Sequence, residues 1–347
     1  MAHHRPLSSI DRQNIDDGKV GLNTAAKAAG KLYFGTAVDN RYLNTGNYTA
    51  INSNTADFGQ ITPANSMKWE STEPQQNKFT YTGGDIIADM AKKNGQLLRC
   101  HTLVWHSQLP NWVKTGSHNN ATLIAIMKNH ITNVMKHYKG KCYAWDVVNE
   151  AFDDKPGNNY RSESIFYKTI GEAYIPIAFA AAAAADPDVK LYYNDYNIED
   201  MNKKFERTKT VVEQIKAYPG ARIDGVGMQT HLQESKPLSE AAITAVMNKF
   251  ASMDLDVAIT ELDVRLQTKG ANAQARQQRN SIYGNVVRAC KNVKRCVGIT
   301  IWDFTDKYSW VPETFKGEGE ALPWDANLKK KDDLYDAILK AWGPASS

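Results

Sequence analysis

Two glutamates occupy the same kind of position in this sequence, at the end of a short apolar stretch. Glu150 ends the string WDVVNE, and Glu261 follows the apolar residues of VAITELDV. Two carboxylates that face each other can share a displacement reaction, one as general acid and then base and the other as nucleophile. A separation of ~5–5.5 Å suits double displacement at a sugar carbon with retention of configuration, whereas ~6.5–9.5 Å admits a water molecule and gives inversion. The sequence predicts the pair but not its separation.

Polar and aromatic side chains end other apolar stretches of the chain in the same way. A lysine in this setting, Lys68, is rarely there for packing. Indole rings can cover the apolar face of a sugar, although most buried aromatic residues simply belong to the core. The residues concerned are Asn65, Lys68, His101, Trp105, Asn149, Asn194, Tyr196, Asn197, Gln229, His231, Asp263 and Trp302, with Trp310 a few residues beyond the last stretch.

Eight apolar stretches, rich in β-branched and aromatic residues, alternate with helical patterns along the chain. Several are almost continuously apolar, which is typical of strands buried on both faces. The predicted strands are Leu32–Val38, Phe58–Met67, Leu97–Trp105, Tyr143–Asn149, Leu191–Tyr196, Gly225–Leu232, Val257–Val264 and Val297–Phe304. The predicted helices between and after them are Asp85–Lys93, Thr122–His137, Ser164–Ala185, Phe205–Tyr218, Leu238–Met253, Ala273–Cys290 and Leu334–Trp342.

This alternation predicts an α/β fold in which parallel βαβ units close into a (β/α)8 TIM barrel. An open, doubly wound sheet is the main alternative, but no glycine-rich dinucleotide-binding motif follows the first predicted strand. Active sites of the barrel lie at the carboxyl ends of the strands. The polar residues named above occur at those ends, so the fold would bring them together.

Seven short strings occur in an order that resembles one known family. They are NSMKW, HTLVWHSQLP, WDVVNEAF, NDYNIE, GMQTHL, ITELDV and GITIWDF. Together they resemble family 10 of the glycoside hydrolases, the endo-β-1,4-xylanases, in a fungal type with a single catalytic domain. The resemblance extends from about Gly21 to Trp342. It implies that the chain is a retaining glycosidase and that its partners are xylan and xylo-oligosaccharides.

The resemblance assigns roles to the residues around the two glutamates. It implies that Glu150 is the acid/base and that Glu261 is the nucleophile that forms a covalent glycosyl-enzyme intermediate. Asn149 would bind the 2-hydroxyl of the sugar under attack. His231 and Asp263 would orient Glu261 and keep it ionised; we expect neutral imidazole or amide groups to supply the hydrogen bonds that favour the charged form.

The resemblance also implies a set of sugar-binding residues, which includes His231. The sugar under attack would contact Lys68, His101, Trp105 and Gln229, with Trp302 and Trp310 stacked over it, the next sugar would contact Asn65 and Gln108, and Tyr196 would face the leaving group. The family often has a glutamate directly before NSMKW, where its carboxylate binds that second sugar. This chain has Ala64 there, so we expect fewer hydrogen bonds to the second sugar.

Four cysteines and two sequons are present. Cys290 and Cys296 flank the short segment KNVKR, so we predict a small disulfide loop. Cys100 and Cys142 fall near opposite ends of two different predicted strands, and a disulfide requires Cα atoms closer than ~7 Å. We therefore expect these two to be buried free thiols. The sequons at Asn47 and Asn120 predict glycosylation on a eukaryotic secretory route.

Composition and the chain ends bound the remaining properties. Hydrophobic residues make up 42% of the chain, charged residues 23%, and the net charge is +4 with scattered basic residues. This balance argues against nucleic acid as a partner, and no apolar run is long enough to span a membrane.

We predict a monomer with no cofactor and no metal. The catalytic barrel would occupy residues 21–343, after an N-terminal extension, residues 1–20, that is a tag-derived or mature terminus. This extension lacks the apolar segment of a signal peptide. We nevertheless expect a secreted, extracellular protein.

Alternative interpretations of the same residues lead to different experiments. Either glutamate alone could be a buried ion-pair partner. His101, His106 and His231 could be zinc ligands of a metal-dependent hydrolase, although no H-x-H or HExxH spacing occurs. A barrel that binds polysaccharide without hydrolysing it would be expected to lack one carboxylate. A glycosidase of the same geometry could act on cellulose, because the sequence does not measure the room near Trp302 and Trp310.

Overall fold

The computed structural model describes residues 20–157 and 159–343. Nearly all of the predicted extension, residues 1–20, therefore lies outside the described residues. The described part of the chain forms ten strands. They are β1 (Tyr33–Val38), β2 (Gln60–Pro63), β3 (Leu97–Trp105), β4 (Ala144–Asn149), β5 (Lys190–Asp195), β6 (Gly225–Met228), β7 (His231–Gln233), β8 (Asp256–Gln267), β9 (Cys296–Ile301) and β10 (Glu318–Gly319).

Eight of these strands form a closed parallel barrel. Neighbours pair in the order β1 to β6, then β8 and β9, and β9 also pairs with β1, so the barrel has no free edge. The predicted (β/α)8 TIM barrel is confirmed. Its strands are almost continuously buried, as in β1 and β4 where all six residues are buried. That pattern explains why the strands could be located from their apolar residues alone.

The predicted sixth strand is interrupted in the structure. β6 ends at Met228 and β7 begins at His231, and between them Thr230 has a left-handed backbone with φ of 65°. β7 still pairs with β8, with His231 opposite Asp263. This interruption lies at the carboxyl end of the barrel, where the predicted site residues occur.

Helices connect the strands and cover the outside of the barrel. Their bounds are α1 (Leu22–Ala28), α2 (Tyr48–Asn52), α3 (Trp69–Thr72), α4 (Thr82–Asn94), α5 (Asn111–Lys114), α6 (Asn120–His137), α7 (Ile165–Ile170), α8 (Tyr174–Ala185), α9 (Lys203–Ala217), α10 (Glu240–Ser252), α11 (Ala273–Asn292), α12 (Val311–Thr314) and α13 (Asp332–Trp342). The single helix predicted over Ser164–Ala185 is two helices, because the chain turns at Gly171 with φ of 86°, a conformation that glycine adopts readily. No helix among the described residues is long and apolar enough to cross a bilayer.

Both pairs of cysteines form disulfides. Cys290 and Cys296 are bonded, as predicted, and join the end of α11 to the start of β9. Cys100 and Cys142 are also bonded, with Cα atoms 5.8 Å apart, so the prediction of free thiols is wrong. Cys142 does not lie in a strand but in the turn that precedes β4. That turn brings it beside β3, a path that the strand pattern did not reveal.

The two sequon asparagines lie on the surface. Asn47 directly precedes α2, and Asn120 begins α6; both side chains are exposed. Their exposure is compatible with an attached glycan. Glycosylation at either site stays a prediction.

Candidate active site

A cavity of about 570 Å³ opens at the carboxyl end of the barrel and contains almost all of the predicted site residues. Strands from opposite sides of the barrel contribute to its wall, because all eight barrel strands end on this face. The predicted residues that line it are Asn65, Lys68, His101, Trp105, Gln108, Asn149, Glu150, Tyr196, Asn197, Gln229, His231, Glu261, Trp302 and Trp310. Asp263 is fully buried behind this wall.

Glu150 follows directly after β4, with a left-handed backbone at φ of 56°. Its Oε1 accepts a hydrogen bond of 3.1 Å from Nε1 of Trp105, and its Oε2 accepts one of 2.9 Å from Nε2 of Gln229. Burial raises the pKa of Glu150, and the negative charges of Asp195 and, more weakly, Glu261 raise it further. Both effects favour the protonated carboxyl, which is the form required of a general acid.

Glu261 lies within β8 and is held on both of its oxygens. Oε1 is 3.0 Å from Nε2 of His231, and Oε2 accepts a hydrogen bond of 3.0 Å from Nδ2 of Asn194. Burial on its own would raise the pKa of Glu261, but the hydrogen bond and positive charge of His231 outweigh burial and lower it. The carboxylate therefore stays ionised, which is the form required of a nucleophile.

His231 is itself held between two carboxylates. Its Nδ1 is 2.9 Å from Oδ1 of Asp263, whose Oδ2 accepts a hydrogen bond of 2.8 Å from Nε1 of Trp310. Because both ring nitrogens face acidic oxygens, both carry protons when Asp263 and Glu261 are charged. Burial opposes the charged ring, but Asp263 and Glu261 raise the pKa of His231 to about 10. The expected neutral imidazole is thus an imidazolium, which makes it a stronger stabiliser of the charged nucleophile.

Asn149 and Asn194 connect the surroundings of the two glutamates. Oδ1 of Asn149 accepts hydrogen bonds from Nδ2 of Asn194 at 3.0 Å and from Nε2 of Gln229 at 3.2 Å. The same Asn194 amide binds Glu261, and its Oδ1 accepts a hydrogen bond of 2.7 Å from Thr260. Nδ2 of Asn149 donates a hydrogen bond of 3.4 Å to Oε2 of Glu150, which leaves its second amide proton for a ligand. The sequence indicated that Asn194 ends a strand, in the string NDYNIE, but not that it bridges the pair.

Lys68, Asn65 and Gln108 form one hydrogen-bonded group on the cavity wall. Nζ of Lys68 donates to Oδ1 of Asn65 at 3.0 Å and to Oε1 of Gln108 at 2.9 Å, and it lies 4.8 Å from the centre of the Trp105 ring. Burial lowers the pKa of Lys68 to about 8, although the nearby glutamates oppose this shift. A donor that is partly desolvated and already oriented is well suited to bind a sugar hydroxyl.

His101 is oriented by a buried ion pair beneath the cavity. Its Nδ1 is 2.7 Å from Oδ2 of Asp146, and the guanidinium of Arg99 binds both oxygens of the same carboxylate, at 2.5 and 2.6 Å. Nε2 is therefore the ring nitrogen available to a ligand. Trp302 packs edge-on against His101, with ring centres 5.5 Å apart, so the two side chains fix each other's orientation.

On the opposite side of Glu150, Tyr196 belongs to a charged network that the sequence did not reveal. Its hydroxyl donates to Asp154 at 2.5 Å and accepts from Nη2 of Arg161 at 2.9 Å. Nζ of Lys204 lies 3.5 Å from the centre of the tyrosine ring. Nε of Arg161 also donates to the main-chain oxygen of Glu150 at 3.1 Å. Arg161 lies in the loop well after β4, and Lys204 lies near the start of α9, well after β5. Neither is at a strand end, so the search for polar residues at strand ends gave no signal for either.

Ala64 lines the same cavity next to Asn65. Asp39, a carboxylate on that side, is occupied: its Oδ2 accepts a hydrogen bond of 2.7 Å from Nδ2 of Asn65, and Arg41 binds both of its oxygens. The methyl group of Ala64 adds no hydrogen-bonding group to the wall.

A model of glycosyl hydrolase family 10 matches residues 21–341, which span the whole barrel. The chain belongs to glycosyl hydrolase family 10. Among relatives, endo-1,4-beta-xylanase D of Talaromyces funiculosus is 56% identical over 317 residues, covering 91% of this chain and 76% of that protein. The endo-1,4-beta-xylanase of Agaricus bisporus is 48% identical over 328 residues, covering 94% of this chain and 96% of that protein.

Solved structures of family 10 have the same fold as this chain. The family 10 xylanase from Bispora sp. MEY-1, determined with xylobiose, aligns with a TM-score of 0.89 and 43% identity, covering 92% of this chain and 99% of that chain. Native xylanase 10B from Thermotoga maritima aligns with a TM-score of 0.88 and 34% identity, covering 93% and 98%. In each comparison the alignment thus covers nearly the whole length of this chain and of the solved structure.

Proposed function

We propose that this family 10 chain is an endo-1,4-β-xylanase that cleaves internal β-1,4-xylosidic bonds of xylan by a retaining double displacement. Glu150 acts as acid/base and Glu261 as nucleophile. The observation that carries the proposal is that Glu150 and Glu261 line one cavity but are held by different partners, Trp105 and Gln229 for Glu150 and His231 and Asn194 for Glu261. These surroundings raise the pKa of Glu150 and lower that of Glu261. Pairs of titratable groups whose surroundings separate their pKa values in this way serve as acid and base or acid and nucleophile. Xylan and xylo-oligosaccharides are supported as substrates by the names of the relatives and by the xylobiose complex.

In the first step, an oxygen of Glu261 attacks the anomeric carbon of the bound sugar while the bond to the leaving-group oxygen breaks. Glu150 donates its proton to that oxygen, so the leaving sugar departs as a neutral alcohol. The amide nitrogen of Asn149 donates one proton to Glu150 and has a second proton for the 2-hydroxyl, where a hydrogen bond strengthens as positive charge develops on the ring. The product of this step is a glycosyl ester on Glu261.

In the second step, Glu150 acts as base. The negative charge of Glu261 disappears when the ester forms, which removes one of the charges that raise the pKa of Glu150. The ionised Glu150 then takes a proton from a water molecule as this water attacks the anomeric carbon. The bond to Glu261 breaks, its charge is restored beside His231, and the configuration at carbon is the same as in the substrate.

The remaining wall would bind the sugars on either side of the cleaved bond. Lys68, His101 and Gln229 offer polar groups to the sugar under attack, and Trp302 and Trp310 offer aromatic faces. Asn65 and Gln108 would bind the next sugar on the glycone side, and Tyr196 would face the leaving group. We also propose that residues 21–343 form the catalytic domain and that the protein acts outside the cell as a secreted monomer.

Product analysis on xylan beside cellulose tests the proposed substrate. We expect xylo-oligosaccharides of mixed length from xylan and far slower release of sugar from cellulose. Release of single xylose units from chain ends would contradict the endo mode. Faster hydrolysis of cellulose than of xylan would favour the alternative of a glucan-specific enzyme on the same barrel.

A further inference from the structure

Glu199 is a buried carboxylate outside the catalytic cavity, in the loop that follows β5. Only 3% of the residue is exposed. Its Oε1 accepts a hydrogen bond of 2.8 Å from the main-chain N–H of Thr230. None of the roles assigned above involves Glu199, although it is joined directly to the chain segment that links β6 to β7.

Thr230 has an unusual backbone that needs support. Its φ of 65° lies in the left-handed region, which a β-branched residue rarely adopts unless the surrounding contacts hold it there. The pairing with β8 changes at this point. Met228 lies opposite Ile259, whereas His231 lies opposite Asp263. An advance of three residues from β6 to β7 therefore matches an advance of four residues along β8. The amide held by Glu199 therefore sits where the barrel changes register.

The residues on either side of Thr230 contact the two catalytic glutamates separately. Gln229, before it, donates from Nε2 to Oε2 of Glu150 at 2.9 Å. His231, after it, places Nε2 at 3.0 Å from Oε1 of Glu261. A rotation of the backbone at Thr230 would displace both side chains together.

We propose that Glu199 is a positioning residue for the catalytic pair. By holding the amide of Thr230, it keeps Gln229 against the acid/base and His231 against the nucleophile. The inference rests on the proposed function for the roles of the two glutamates. Burial raises the pKa of Glu199 to about 7, but the carboxylate and the carboxylic acid both offer an acceptor oxygen, so the contact survives in either form.

The pH dependence of kcat/KM on an aryl β-xylobioside tests this role. We expect Glu199→Ala to lower kcat/KM by about 10–100-fold, the range expected when reacting groups are displaced by a fraction of an ångström to an ångström. Both limbs of the profile should also move to higher pH. Loss of the Gln229 donor raises the pKa of Glu150, and loss of the His231 contact raises that of Glu261. Glu199→Gln keeps an acceptor oxygen and should leave both limbs in place.

Glu73→Ala is the matched control. Glu73 is also buried and accepts a hydrogen bond of 2.9 Å from the main-chain N–H of Asn77, after α3. Its other oxygen lies 2.9 Å from Nδ1 of His130, so the variant removes a buried contact as well, but one that touches neither Gln229 nor His231. Its loss should lower the melting temperature without moving either limb. If Glu199→Ala lowers the melting temperature and leaves both limbs where they are in the wild type, Glu199 is merely structural and the inference is wrong.

A second measurement separates this inference from the proposed function. Titration of ¹³C-labelled glutamate carboxyls by NMR reads the pKa of Glu150 and Glu261 without any turnover. A rise of both in Glu199→Ala supports the positioning role, and unchanged values overturn it. A wild-type protein that hydrolyses no xyloside would reject the proposed function while the titration still decides the inference. If Glu199→Ala does not fold, Glu199→Asp replaces it, because the shorter side chain withdraws the carboxyl from Thr230. This variant should raise the pKa values of Glu150 and Glu261 by smaller amounts.

Discussion

Glu150 and Glu261 lie in one cavity, but their neighbours favour the protonated form of the first and the ionised form of the second. Burial and the charge of Asp195 favour the protonated form of Glu150. Glu261 is the more buried of the two, but the imidazolium of His231 more than offsets burial and keeps it ionised. Between the two pKa values the pair holds one proton, on Glu150, which is the state that double displacement needs. Activity should therefore fall at low pH as Glu261 is protonated and at high pH as Glu150 loses its proton.

Replacement of Glu150 tests the acid/base role. We expect Glu150→Ala to lower kcat/KM on xylan by about 10²–10⁴-fold, the usual contribution of general acid catalysis. An aryl xylobioside with a good leaving group needs no proton and should be affected far less in the first step. Added azide should restore turnover and give a β-glycosyl azide. Equal losses on both substrates without azide rescue would contradict the assignment.

Replacement of His231 tests the origin of the charged nucleophile. Glu261 has a lowered pKa because His231 is positive, so His231→Asn should move the acid limb of kcat/KM to higher pH. The alkaline limb, which belongs to Glu150, should move much less. His137→Asn is the control, since His137 forms a similar pair with Asp85 at 2.7 Å but lies on α6. An acid limb that stays in place in His231→Asn would show that His231 does not set the charge of the nucleophile.

At the scale of elements, the sequence predicted the features that depend on a single strand. Buried strands are continuously apolar, and the polar residues that end them must meet at one end of a parallel barrel. For that reason Glu150, Glu261 and the other strand-end residues could be predicted to share one site, whereas their roles, and the inclusion of Gln108, came from the resemblance to family 10. Asn194 was visible at its strand end, but its bridging contacts depend on three strands at once. Thr230 was hidden inside a predicted strand, because no residue pattern marks its left-handed backbone.

The Cys100–Cys142 disulfide shows the same limit. Strand positions alone placed the two cysteines too far apart, whereas the path of the turn before β4 brings them together. Pairing between elements depends on where the connecting chain runs, which local composition does not encode. Networks such as Arg161 with Tyr196 and Lys204 depend on loops and helices in the same way.

The two disulfides should contribute unequally to stability. They close loops with sequence separations of 42 and 6 residues. A cross-link restricts the unfolded chain more when its loop is longer, with about 4 kcal/mol expected for the long loop and about 2 kcal/mol for the short one. We therefore expect Cys100→Ala/Cys142→Ala to lower the free energy of unfolding more than Cys290→Ala/Cys296→Ala does. Denaturant unfolding of both double variants under oxidising conditions measures this, and the reverse order would contradict it.

At the scale of the whole molecule, closure of the barrel brings the residues of the site together. Because β9 pairs with both β1 and β8, every strand end lies on one ring, and residues far apart in sequence face one cavity. Glu150 and Glu261, which are on different strands, are joined through Asn149 and Asn194. The barrel therefore fixes the catalytic pair on rigid elements, while loops such as that of Tyr196 supply the surroundings of the leaving group.

A chelator distinguishes this account from the metal-dependent alternative for the whole enzyme. The described residues contain no group of three or more histidine, cysteine or acidic side chains arranged to hold a metal ion. The proposed chemistry uses only carboxyl groups and water. We expect xylan hydrolysis to be unchanged after dialysis against EDTA. A loss of activity that zinc restores would revive the interpretation of His101 and His231 as ligands.

Trapping the covalent intermediate tests directly whether Glu261 is the nucleophile of a retaining mechanism. A xylobioside with fluorine at carbon 2 and a good leaving group should react at Glu261 and then hydrolyse very slowly, because fluorine destabilises positive charge on the ring. Peptide mass spectrometry would locate the label. We expect one fluoroxylobiosyl group on the peptide that contains Glu261. Its attachment to Glu150, or turnover with no covalent label and inversion at the anomeric carbon, would contradict it.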